Sequence, residues 1–514
     1  MIAKVQSACL VGMEAVPVCV EVSLAKGFPA FSIVGLPDAA VREARDRVVA
    51  AIRHTGFEFP ARKITVNLAP AEQRKEGAYF DLAIAVGILL ASEAIHIKRW
   101  PRAIWLGELA LDGSLRPVRA LLPLVRGLME KEELPYVLPA ENWRHVSYVE
   151  HLQAYPFSNL REIVEWLDQD HLAPKLGKRV AWKPKPIRSL VDMQDIKGQA
   201  QAKRALEIAA AGNHNLLLVG PPGTGKSMLA QALPALLPDW TYEEALEATQ
   251  IHVLAGASLP HALLASRPFR SPHHTASSAA LIGGGDLPMP GEISLAHQGI
   301  LFLDELPEFR RDALEALRQP LEEGRVHLQR VRGKASFLSQ FLLIAAMNPC
   351  PCGYRGHPRK ECICSEYQVQ RYRAKISGPL VDRMDMHIEV PALKVEELLK
   401  IQNQPESTQA VRMRVIQARA RQIQRFAQGP DTTPVFNAHL RGDNLKRFCA
   451  LSSAAKELLG AAVDRLGFSA RALDKLCRVA RTIADLSGAV NVESAHIAEA
   501  IQMRAFDRPV RVSH

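Results

Sequence analysis

The sequence predicts an α/β protein whose centre is a parallel sheet, and two short apolar runs carry that prediction. Leu216–Val219 and Ile300–Leu303 each contain four consecutive apolar residues, which is typical of a buried parallel strand. A glycine-rich segment follows the first run, and two acidic residues follow the second. Open parallel sheets bind ligands beyond the carboxyl ends of their strands, so we expect both segments at one edge of the sheet.

Around this centre the chain divides into four predicted parts. Its 514 residues are long enough for about two to four domains. The parts are an α/β unit at 1–170, a linker at 171–192, the sheet-containing core at 193–390 and a mainly helical region at 391–514.

The first unit is predicted to be α/β without a phosphate-binding loop of its own. Alternation of apolar and polar residues indicates its strands, and apolar residues at helical spacing indicate its helices. The expected segments are strands at Val16–Ser23 and Ile64–Leu68, helices at Asp38–His54 and Asp81–Leu90, and a hairpin of Ala103–Leu109 with Leu115–Val118.

The linker and the last region are distinguished by composition. Prolines disfavour regular structure in the linker. We interpret it as a solvated basic segment in preference to a DNA contact; its prolines and cations are Pro174, Lys175, Lys178, Arg179, Lys183, Pro184, Lys185, Pro186 and Arg188. The clearest helices expected beyond the core are Ala454–Leu466, Ala470–Leu486 and Ser494–Arg504.

The composition is that of an ordinary globular protein with a basic balance. Hydrophobic residues make up 48% and charged residues 23%, and the formal net charge is +10. The excess suggests a polyanionic partner such as nucleic acid, although a basic surface that binds nothing explains it as well. We expect a cytoplasmic protein without a membrane span, since the start does not resemble a signal peptide and no run of about 18 apolar residues occurs. Eight cysteines in so long a chain do not indicate a disulfide scaffold.

The segment after the first strand fits a phosphate-binding loop at every fixed position. Gly220-Pro-Pro-Gly-Thr-Gly-Lys-Ser227 matches G-x-x-x-x-G-K-[ST] between a predicted strand and a predicted helix. Glycines let backbone N–H groups surround a phosphate, and the helix that starts near Lys226 points its positive end at the same anion. Lys226 is expected to reach the β and γ phosphates of ATP, and the Ser227 hydroxyl to ligate Mg²⁺. The alternative is a turn with a chance lysine. The expected ligand contacts come from Gly220, Pro221, Pro222, Gly223, Thr224, Gly225, Lys226 and Ser227.

Polar residues also end two other predicted strands. Asp304 and Glu305 follow Ile300–Leu303, where Asp304 is expected to organise Mg²⁺ and Glu305 to polarise the attacking water. Asn348 follows the apolar run Phe341–Ala346 and could hold that water or the γ-phosphate. The alternatives are a solvated strand end for the acids and a turn-opening residue for the asparagine.

Two later arginines are candidates for completing such a site. Arg383 is a candidate arginine finger for the ATP of a neighbouring subunit, although a salt bridge to Asp382 or Asp385 would also explain it. Arg471 lies near a predicted helix start, where its charge opposes the helix dipole and an anionic partner is favoured. It could reach a γ-phosphate from a lid.

Together these motifs resemble an AAA+ ATPase, and three further segments narrow the resemblance. Arg267-Pro-Phe-Arg-Ser-Pro-His-His274, Gly291-Glu-Ile-Ser-Leu-Ala-His297 and Asn348-Pro-Cys-Pro-Cys-Gly353 are similar to segments of the magnesium-chelatase-like YifB/ComM family over nearly the whole chain. The resemblance implies a Lon-protease-like N-terminal domain, an AAA+ core and a helical C-terminal lid. It also implies a hexameric ring that drives branch migration of DNA, notably during natural transformation.

The same resemblance assigns roles to individual residues. It makes Asn348 sensor 1, Arg383 the arginine finger and Arg471 sensor 2. It implies an insertion near Ala279–Pro290 and a hairpin at Arg325–Phe337, whose cations suit contact with DNA phosphates in a ring pore. The alternative is a hairpin whose charges only keep it soluble. The cations expected to contact DNA are Arg325, Arg330, Arg332 and Lys334.

The first unit lacks the nucleophile of a Lon-type protease. Those domains use a serine activated by a lysine. The best local match is Lys75-Glu-Gly-Ala-Tyr-Phe-Asp81, and Tyr79 occupies the serine position. We therefore expect a non-proteolytic domain that binds DNA or supports assembly.

Four cysteines within fifteen residues form a candidate zinc site. Cys350-Pro-Cys352 and Cys362-Ile-Cys364 offer four thiolates, which suit tetrahedral Zn²⁺. Their C-x-C spacing is tighter than the common C-x₂-C, and reduced cysteines in a loop are the alternative. His357 could replace one ligand. His273 and His274 are expected to sense nucleotide or cap a turn.

The sequence thus predicts an ATP-driven, hexameric DNA motor, with ATP, Mg²⁺ and possible Zn²⁺ as its cofactors. The first alternative is a chelatase-like motor for metal insertion or protein remodelling. A regulated protease is disfavoured by Tyr79, and a DNA-binding scaffold with a vestigial ATPase is disfavoured by intact Lys226, Glu305 and Arg383.

Overall fold

The computed structural model describes most of the chain. The described residues are 2–72, 75, 77–95, 102–168, 176–184, 191–257, 263–285, 288–330, 333–393, 406–427 and 436–504. Arg332 lies outside these ranges. Five of the linker residues named above also lie outside them, namely Pro174, Lys175, Lys185, Pro186 and Arg188.

The N-terminal unit is a mixed seven-stranded sheet with helices packed on it. Its strand order is β3-β4-β2-β1-β5-β8-β9, with antiparallel pairing of β1 to β2 and of β2 to β4 and parallel pairing elsewhere. The strands are β1 (Ile2–Val11), β2 (Glu14–Ala25), β3 (Ala30–Val34), β4 (Lys63–Ala69), β5 (Ile104–Trp105), β6 (Glu108–Leu109), β7 (Leu115–Arg116), β8 (Tyr136–Pro139) and β9 (Ala154–Phe157). The helices are α1 (Ala39–His54), α2 (Asp81–Ala91), α3 (Leu121–Met129), α4 (Ala140–Val146) and α5 (Leu160–Asp168).

Helix α2 lies at the centre of this unit because it is apolar on all sides. Nearly all its residues are buried, as expected for a helix without a polar face. Its first residue, Asp81, is buried as well, and Arg47 of α1 donates two hydrogen bonds to its carboxylate at 2.7 and 3.1 Å. Pairing of this kind is what makes a buried carboxylate tolerable.

The predicted hairpin of the first unit is only partly correct. Strands β6 and β7 pair antiparallel as expected, but β5, which was predicted to continue into β6, joins the large sheet beside β1 and β8. The chain leaves the large sheet at Leu106-Gly107 and then pairs with β7. Leu82 leaves little room for a side chain at Gly107.

The core is a five-stranded parallel sheet of order β11-β14-β17-β10-β18. Its central strands β10, β14 and β17 are buried along their whole length. The core strands are β10 (Leu216–Val219), β11 (Phe269–Arg270), β12 (Gly283–Gly284), β13 (Met289–Pro290), β14 (Ile300–Leu303), β15 (Arg325–Arg330), β16 (Gly333–Leu338), β17 (Leu342–Met347) and β18 (Met386–Glu389). The core helices are α6 (Ala200–Gly212), α7 (Lys226–Ala232), α8 (Tyr242–Leu254), α9 (Ser278–Ile282), α10 (Glu292–Leu295), α11 (Arg311–Glu315), α12 (Arg318–Glu323), α13 (Glu366–Arg373) and α14 (Gly378–Val381).

The C-terminal region is helical, and it packs on α6 of the core. Its helices are α15 (Thr408–Ala427), α16 (Gly442–Phe448), α17 (Ser453–Leu466), α18 (Ala470–Ser487) and α19 (Ser494–Gln502). Apolar residues of α15, α18 and α19 share one hydrophobic cluster with α6 and the core strands. The C-terminal helices and one face of the core sheet therefore share a hydrophobic core.

The described part of the linker is anchored at two aromatic side chains. Trp143 of α4 donates a hydrogen bond to the Lys178 carbonyl at 3.1 Å, and the Trp182 ring lies 6.1 Å from that of Tyr242 in α8. Lys178, Arg179 and Lys183 are exposed. Within the described ranges, no helix combines the length and apolar character needed to cross a bilayer.

Candidate active site

Three neighbouring strands bring polar residues to one edge of the core sheet. Strand β17 lies between β14 and β10, and all three run in the same direction. Asn348, Asp304 and Gly220 follow their respective carboxyl ends, so the geometry of the sheet alone gathers them.

The conformation of the loop at Gly220–Ser227 requires glycine at three positions, for lack of space at one and for backbone angles at two. A Cβ at Gly220 would lie 2.1 Å from the Val390 carbonyl oxygen. Gly223 and Gly225 have φ of 77° and 88°, in the left-handed region that glycine adopts without strain. The Thr224 hydroxyl donates to the Pro221 carbonyl at 3.0 Å and closes the turn. Helix α7 then begins at Lys226.

Lys226 is almost completely buried, and its ammonium group faces neutral acceptors. It donates to the Gly220 and Pro221 carbonyls at 2.7 and 2.9 Å, and Asn348 Oδ1 lies 3.4 Å away. Burial lowers the pKa of Lys226, although Asp304 and Glu305 act in the opposite direction. Because carbonyls do not neutralise its charge, an anion such as a phosphate is a better partner.

Ser227 and Asp304 present two oxygen atoms side by side. The serine hydroxyl donates to the Asp304 carboxylate at 2.8 Å, and the second carboxylate oxygen accepts the Glu305 N–H at 2.9 Å. Hard oxygen donors of this kind suit Mg²⁺. The pair therefore fits the metal that the sequence motif predicts.

Glu305 is held by its backbone conformation and by a histidine. Its φ is 52°, which is uncommon for a residue other than glycine. Its carboxylate lies 3.1 Å from His274 Nδ1. The His273 ring is 4.0 Å from that of His274, and its Nδ1 pairs with the Thr275 hydroxyl at 2.8 Å. His273 thus caps a turn, whereas His274 contacts the candidate general base.

Neither predicted arginine belongs to this cluster of contacts. Arg383 forms an ion pair with Glu322 of α12 and donates to the Pro379 carbonyl at 2.5 Å. The sequence predicted a salt bridge to Asp382 or Asp385 as the alternative role of Arg383. The observed partner is instead Glu322, which lies in a helix distant in the sequence. Arg471 is exposed in the first turn of α18.

Several residues that sequence reasoning missed connect the site to its surroundings. Gln199, just before α6, donates to the Pro391 carbonyl at 2.8 Å and to the Thr224 carbonyl of the phosphate-binding loop at 3.4 Å. Asn215, just before β10, accepts the Leu343 N–H at 3.0 Å. Asn215 and Leu343 are 128 residues apart in the sequence, so no local pattern indicates this contact.

The four cysteines converge beside the phosphate-binding loop. Their sulfur atoms all lie within 4.8 Å of one another, and Cys350 Sγ is 3.4 Å from Cys352 Sγ and 3.6 Å from Cys362 Sγ. A tetrahedral Zn²⁺ with bonds of ~2.3 Å separates its sulfurs by roughly 3.8 Å. Backbone N–H groups, that of Tyr354 foremost, lower the pKa of the Cys352 thiol to about 6, whereas desolvation raises the pKa of the Cys362 thiol to about 12, so it is the sulfur geometry that supports a metal. The donor set therefore fits zinc.

His357 is not positioned as a fifth candidate ligand. Its Nδ1 accepts the backbone N–H groups of Arg359 and Lys360, both at 3.1 Å. The ring caps a turn inside the cysteine loop, and the ligand group formed by the described residues consists of the four cysteines without His357, so the predicted replacement of a cysteine by His357 is not supported.

The predicted hairpin is formed by β15 and β16, which pair antiparallel. Val326 and Leu328 are buried, whereas Arg325, Arg330 and Lys334 are exposed. Beneath it lies the β1–β2 turn of the N-terminal unit. A Cβ at Gly12 would be 3.1 Å from Ala335 Cβ, and the two units border a cleft of about 680 Å³.

The position that was predicted to match the serine of a Lon-type protease carries Tyr79. The Tyr79 hydroxyl donates to the Arg119 carbonyl at 3.0 Å, and burial raises the pKa of Tyr79 to about 12. Lys75 is buried and donates to the Pro70 carbonyl. Each of these two side chains thus donates to a backbone carbonyl, whereas an activated serine donates its hydroxyl proton to the neighbouring lysine.

Comparison with known proteins identifies three matching family models. They are described as magnesium chelatase, subunit ChlI, at 192–398; subunit ChlI of Mg-chelatase, at 20–142; and magnesium chelatase, subunit ChlI C-terminal, at 405–504.

Full-length relatives are also similar to the chain. Uncharacterized protein YifB of Salmonella typhimurium is 42% identical over 99% of this chain and 98% of its own length. Uncharacterized protein YifB of Escherichia coli is 42% identical over 98% and 97%. Competence protein ComM of Haemophilus influenzae is 42% identical over 99% and 98%.

Proposed function

The chain belongs to the magnesium-chelatase-like family of YifB and ComM proteins, and on that premise we propose that it is an ATP-driven DNA motor. Its parallel sheet and C-terminal helices fit an AAA+ fold, and the family suggests an ATPase that uses ATP and Mg²⁺. The gathering of polar residues from three adjacent strands around the buried Lys226 carries the ATPase part of the proposal, and the exposed cations of the β15–β16 hairpin support its DNA part.

In this proposal the cluster binds ATP and activates water. Lys226 exchanges its carbonyl partners for the β and γ phosphates, while the oxygens of Ser227 and Asp304 hold Mg²⁺. The metal supplies positive charge that offsets the phosphate oxygens. Glu305 accepts a proton from the attacking water, and Asn348 orients that water or the γ-phosphate.

His274 is proposed to hold Glu305 until water is in place. The two groups are 3.1 Å apart, so His274 is close enough to orient the carboxylate. A positioned base contributes more than a freely rotating one because less ordering remains for the transition state.

The two arginines are proposed to complete the site in an assembled ring. Arg383 would act on the ATP of the neighbouring subunit, after exchanging Glu322 for a phosphate, and Arg471 would read the γ-phosphate from the lid. The family suggests an oligomer, and we propose a hexamer.

DNA is the proposed partner of the hairpin. Arg325, Arg330 and Lys334 expose their charges on it, and the net charge of the chain is +10. Arg332 belongs to the proposal from its sequence position alone. The name competence protein, carried by one relative, accords with a DNA partner. Branch migration of recombining DNA, for example during natural transformation, is the proposed task.

The N-terminal unit is proposed to be a non-proteolytic, Lon-like platform. Tyr79 and Lys75 are engaged with backbone carbonyls, which leaves no activated nucleophile at that position. The proposed domain limits are 1–170, 171–192, 193–390 and 391–514.

Zn²⁺ is proposed as the ion of the four cysteines. The donors and their spacing fit a closed structural site. Metal analysis of protein purified without chelator should give close to one zinc per chain, and a Cys362→Ser, Cys364→Ser double variant should lose it. A zinc content near zero in the native protein would contradict this assignment.

A chelatase-like motor for metal insertion or protein remodelling is the second candidate. The matching family models, all of magnesium chelatase subunits, favour it. It shares the ATP site but requires no stimulation by DNA.

The deciding experiment measures ATP hydrolysis alone, with single-stranded DNA and with a four-way junction. We expect stimulation by DNA that falls with salt, because phosphate contacts release counterions. Glu305→Gln should abolish the stimulated rate and retain ATP binding. A Lys456→Met variant, at an exposed lid lysine, serves as the control. Hydrolysis that ignores every DNA would favour the second candidate.

A further inference from the structure

The backbone around Arg383 is held by two side chains from other parts of the chain. Lys475 of α18 donates hydrogen bonds to the Asp382 carbonyl and, at 3.0 Å, to the Met384 carbonyl. Asn215 Nδ2 donates to the Arg383 carbonyl between them at 3.2 Å. Three successive carbonyls are thus occupied, although the segment lies in a turn.

The Asn215 contact connects this turn to the strands of the nucleotide site. Asn215 directly precedes β10, which leads into the phosphate-binding loop, and its Oδ1 accepts the Leu343 N–H of β17, which leads to Asn348. Its main chain also pairs with the Asp385 N–H and, through its own N–H, with the Asp385 carboxylate. Displacement of either strand therefore acts on the Arg383 turn.

The Lys475 contact connects the same turn to the lid. Lys475 lies four residues after Arg471, which is one turn along the same helix. It is 8% exposed and lies 3.9 Å from the Asp385 carboxylate. Thr482, two turns further along α18, pairs with His214 next to Asn215 at 2.7 Å. A shift of α18 cannot leave the turn unchanged while these buried contacts persist.

The side chain of Arg383 is meanwhile only partly satisfied. It pairs with Glu322 and the Pro379 carbonyl, yet among the described residues its buried Nε–H has no hydrogen-bond partner. Such a guanidinium can gain further hydrogen bonds if its backbone presents it to an anion.

From these contacts we propose that Asn215 and Lys475 are positioning residues that set the direction of Arg383 according to the occupancy of the chain's own nucleotide site. This inference rests on the proposed function, since it requires Arg383 to serve a neighbouring site. ATP bound by one subunit would act on the phosphate-binding loop that follows β10 and, through Arg471, on α18. The contacts of Asn215 and Lys475 with the backbone at 382–384, which we call the clamp, would then present Arg383 to the next subunit. Successive hydrolysis events would thereby be coupled around a ring.

The first test is Lys475→Met, which keeps an unbranched apolar stem and removes the donors. We expect kcat for ATP to fall at least about tenfold, because an arginine finger contributes roughly 10³-fold or more and a misplaced one loses part of that. The dissociation constant for a fluorescent ATP analogue should stay within about twofold. Lys475→Arg should recover part of the rate, and Lys456→Met should match the native protein.

Mixed assemblies separate positioning from general damage. A Glu305→Gln subunit binds ATP and keeps its clamp, so it should supply Arg383 to a Lys475→Met neighbour whose own site is intact. The mixture should hydrolyse ATP faster than either variant alone, as should a mixture of Arg383→Ala with Glu305→Gln. A Lys226→Ala partner, which lacks bound nucleotide, should restore less.

The outcomes distinguish the clamp from the function on which it rests. Full activity of Arg383→Ala alone would remove the arginine finger, and the clamp with it. Rescue of Arg383→Ala but not of Lys475→Met, or native activity of Lys475→Met, would overturn the clamp only. Equal rescue by Glu305→Gln and Lys226→Ala partners would overturn its dependence on occupancy. If Lys475→Met does not fold, Asn215→Asp removes the donor to the Arg383 carbonyl while keeping the acceptor for Leu343, and the same outcomes apply to it.

Discussion

The two sheets of this protein differ in strand direction, and that difference accompanies a difference in chemistry. In the core sheet all five strands are parallel, so three carboxyl ends deliver Gly220, Asp304 and Asn348 to one edge. In the N-terminal sheet β1, β2 and β4 alternate in direction. Its comparable polar residues, Lys75 and Tyr79, are engaged with carbonyls. Strands β1, β5, β8 and β9 of the N-terminal sheet are also parallel to one another, so strand direction alone does not make a site. The core differs because polar residues follow the carboxyl ends of three adjacent parallel strands.

The sharpest test of this contrast is the candidate base of the core. Glu305→Gln should lower the rate of ATP hydrolysis by about 10²- to 10⁴-fold, the usual contribution of a general base, and leave ATP affinity nearly unchanged. Turnover assays and nucleotide titration measure both. The control is Glu308→Gln, since Glu308 lies three residues on and pairs with Lys375 at the surface. Native turnover of Glu305→Gln would remove the assigned role.

A smaller effect is expected at the central strand of the same edge. Asn348→Ala should lower kcat by roughly 10- to 100-fold, since one polar contact to the transition state is lost. The substitution leaves the backbone pairing of β17 with β10 and β14 unchanged, so the fold should persist. Steady-state kinetics with a thermal melt measure the two properties separately. A change in KM with kcat preserved would instead indicate a role in ground-state binding.

The stability of the core at low pH should depend on the buried carboxylate of Asp385, which lies outside the active-site edge of the core sheet. Burial opposes ionisation of Asp385, but His214, the Lys475 charge and the Asn215 N–H outweigh it and lower the pKa of Asp385 to about 2. Its stabilising contribution, on the order of 2 kcal/mol, is therefore present above pH ~4 and is lost as pH falls toward 2.

Asp385→Asn should accordingly destabilise the protein by about that amount at pH 7. The difference from the native protein should shrink as denaturation is repeated between pH 4 and 2. Asp382→Asn, at an exposed neighbouring carboxylate, is the control. A difference that stays constant down to pH 2 would show that lost packing, and not charge, explains the destabilisation.

The smallest effect is expected in the N-terminal sheet. Tyr79→Phe removes one hydrogen bond to the Arg119 carbonyl and should cost about 1 kcal/mol of stability. ATP hydrolysis should be unchanged, because Tyr79 does not contact the core edge. A severalfold loss of hydrolysis in this variant would break the contrast between the two sheets.

The sequence predicted correctly those elements of the site that are determined by neighbouring residues. The strand, glycine loop and helix at Leu216–Leu229 lie where the motif requires, and the apolar runs ending at Asp304 and Asn348 are strands. Each of these follows from neighbours within a few residues, because strand burial and loop conformation depend on local composition.

Contacts between distant segments could not be predicted in this way. Arg383 pairs with Glu322, sixty-one residues earlier, and not with its neighbours Asp382 or Asp385. His274 faces Glu305 only because strand β11 ends beside strand β14. Strand β5 was merged with β6, since a two-residue strand offers too few residues for a period to be visible.

The turn at Gly12 supports the β15–β16 hairpin from the side of the N-terminal unit. A free two-stranded hairpin is compliant and bends under load, but this one rests through Ala335 on a turn whose two strands continue into a seven-stranded sheet. Force applied at the hairpin tip is therefore carried into the whole N-terminal unit. Movement of the hairpin relative to that unit would have to separate Gly12 from Ala335 and also Met13 of the same turn from the hydrophobic cluster that contains Ala335 and Phe337.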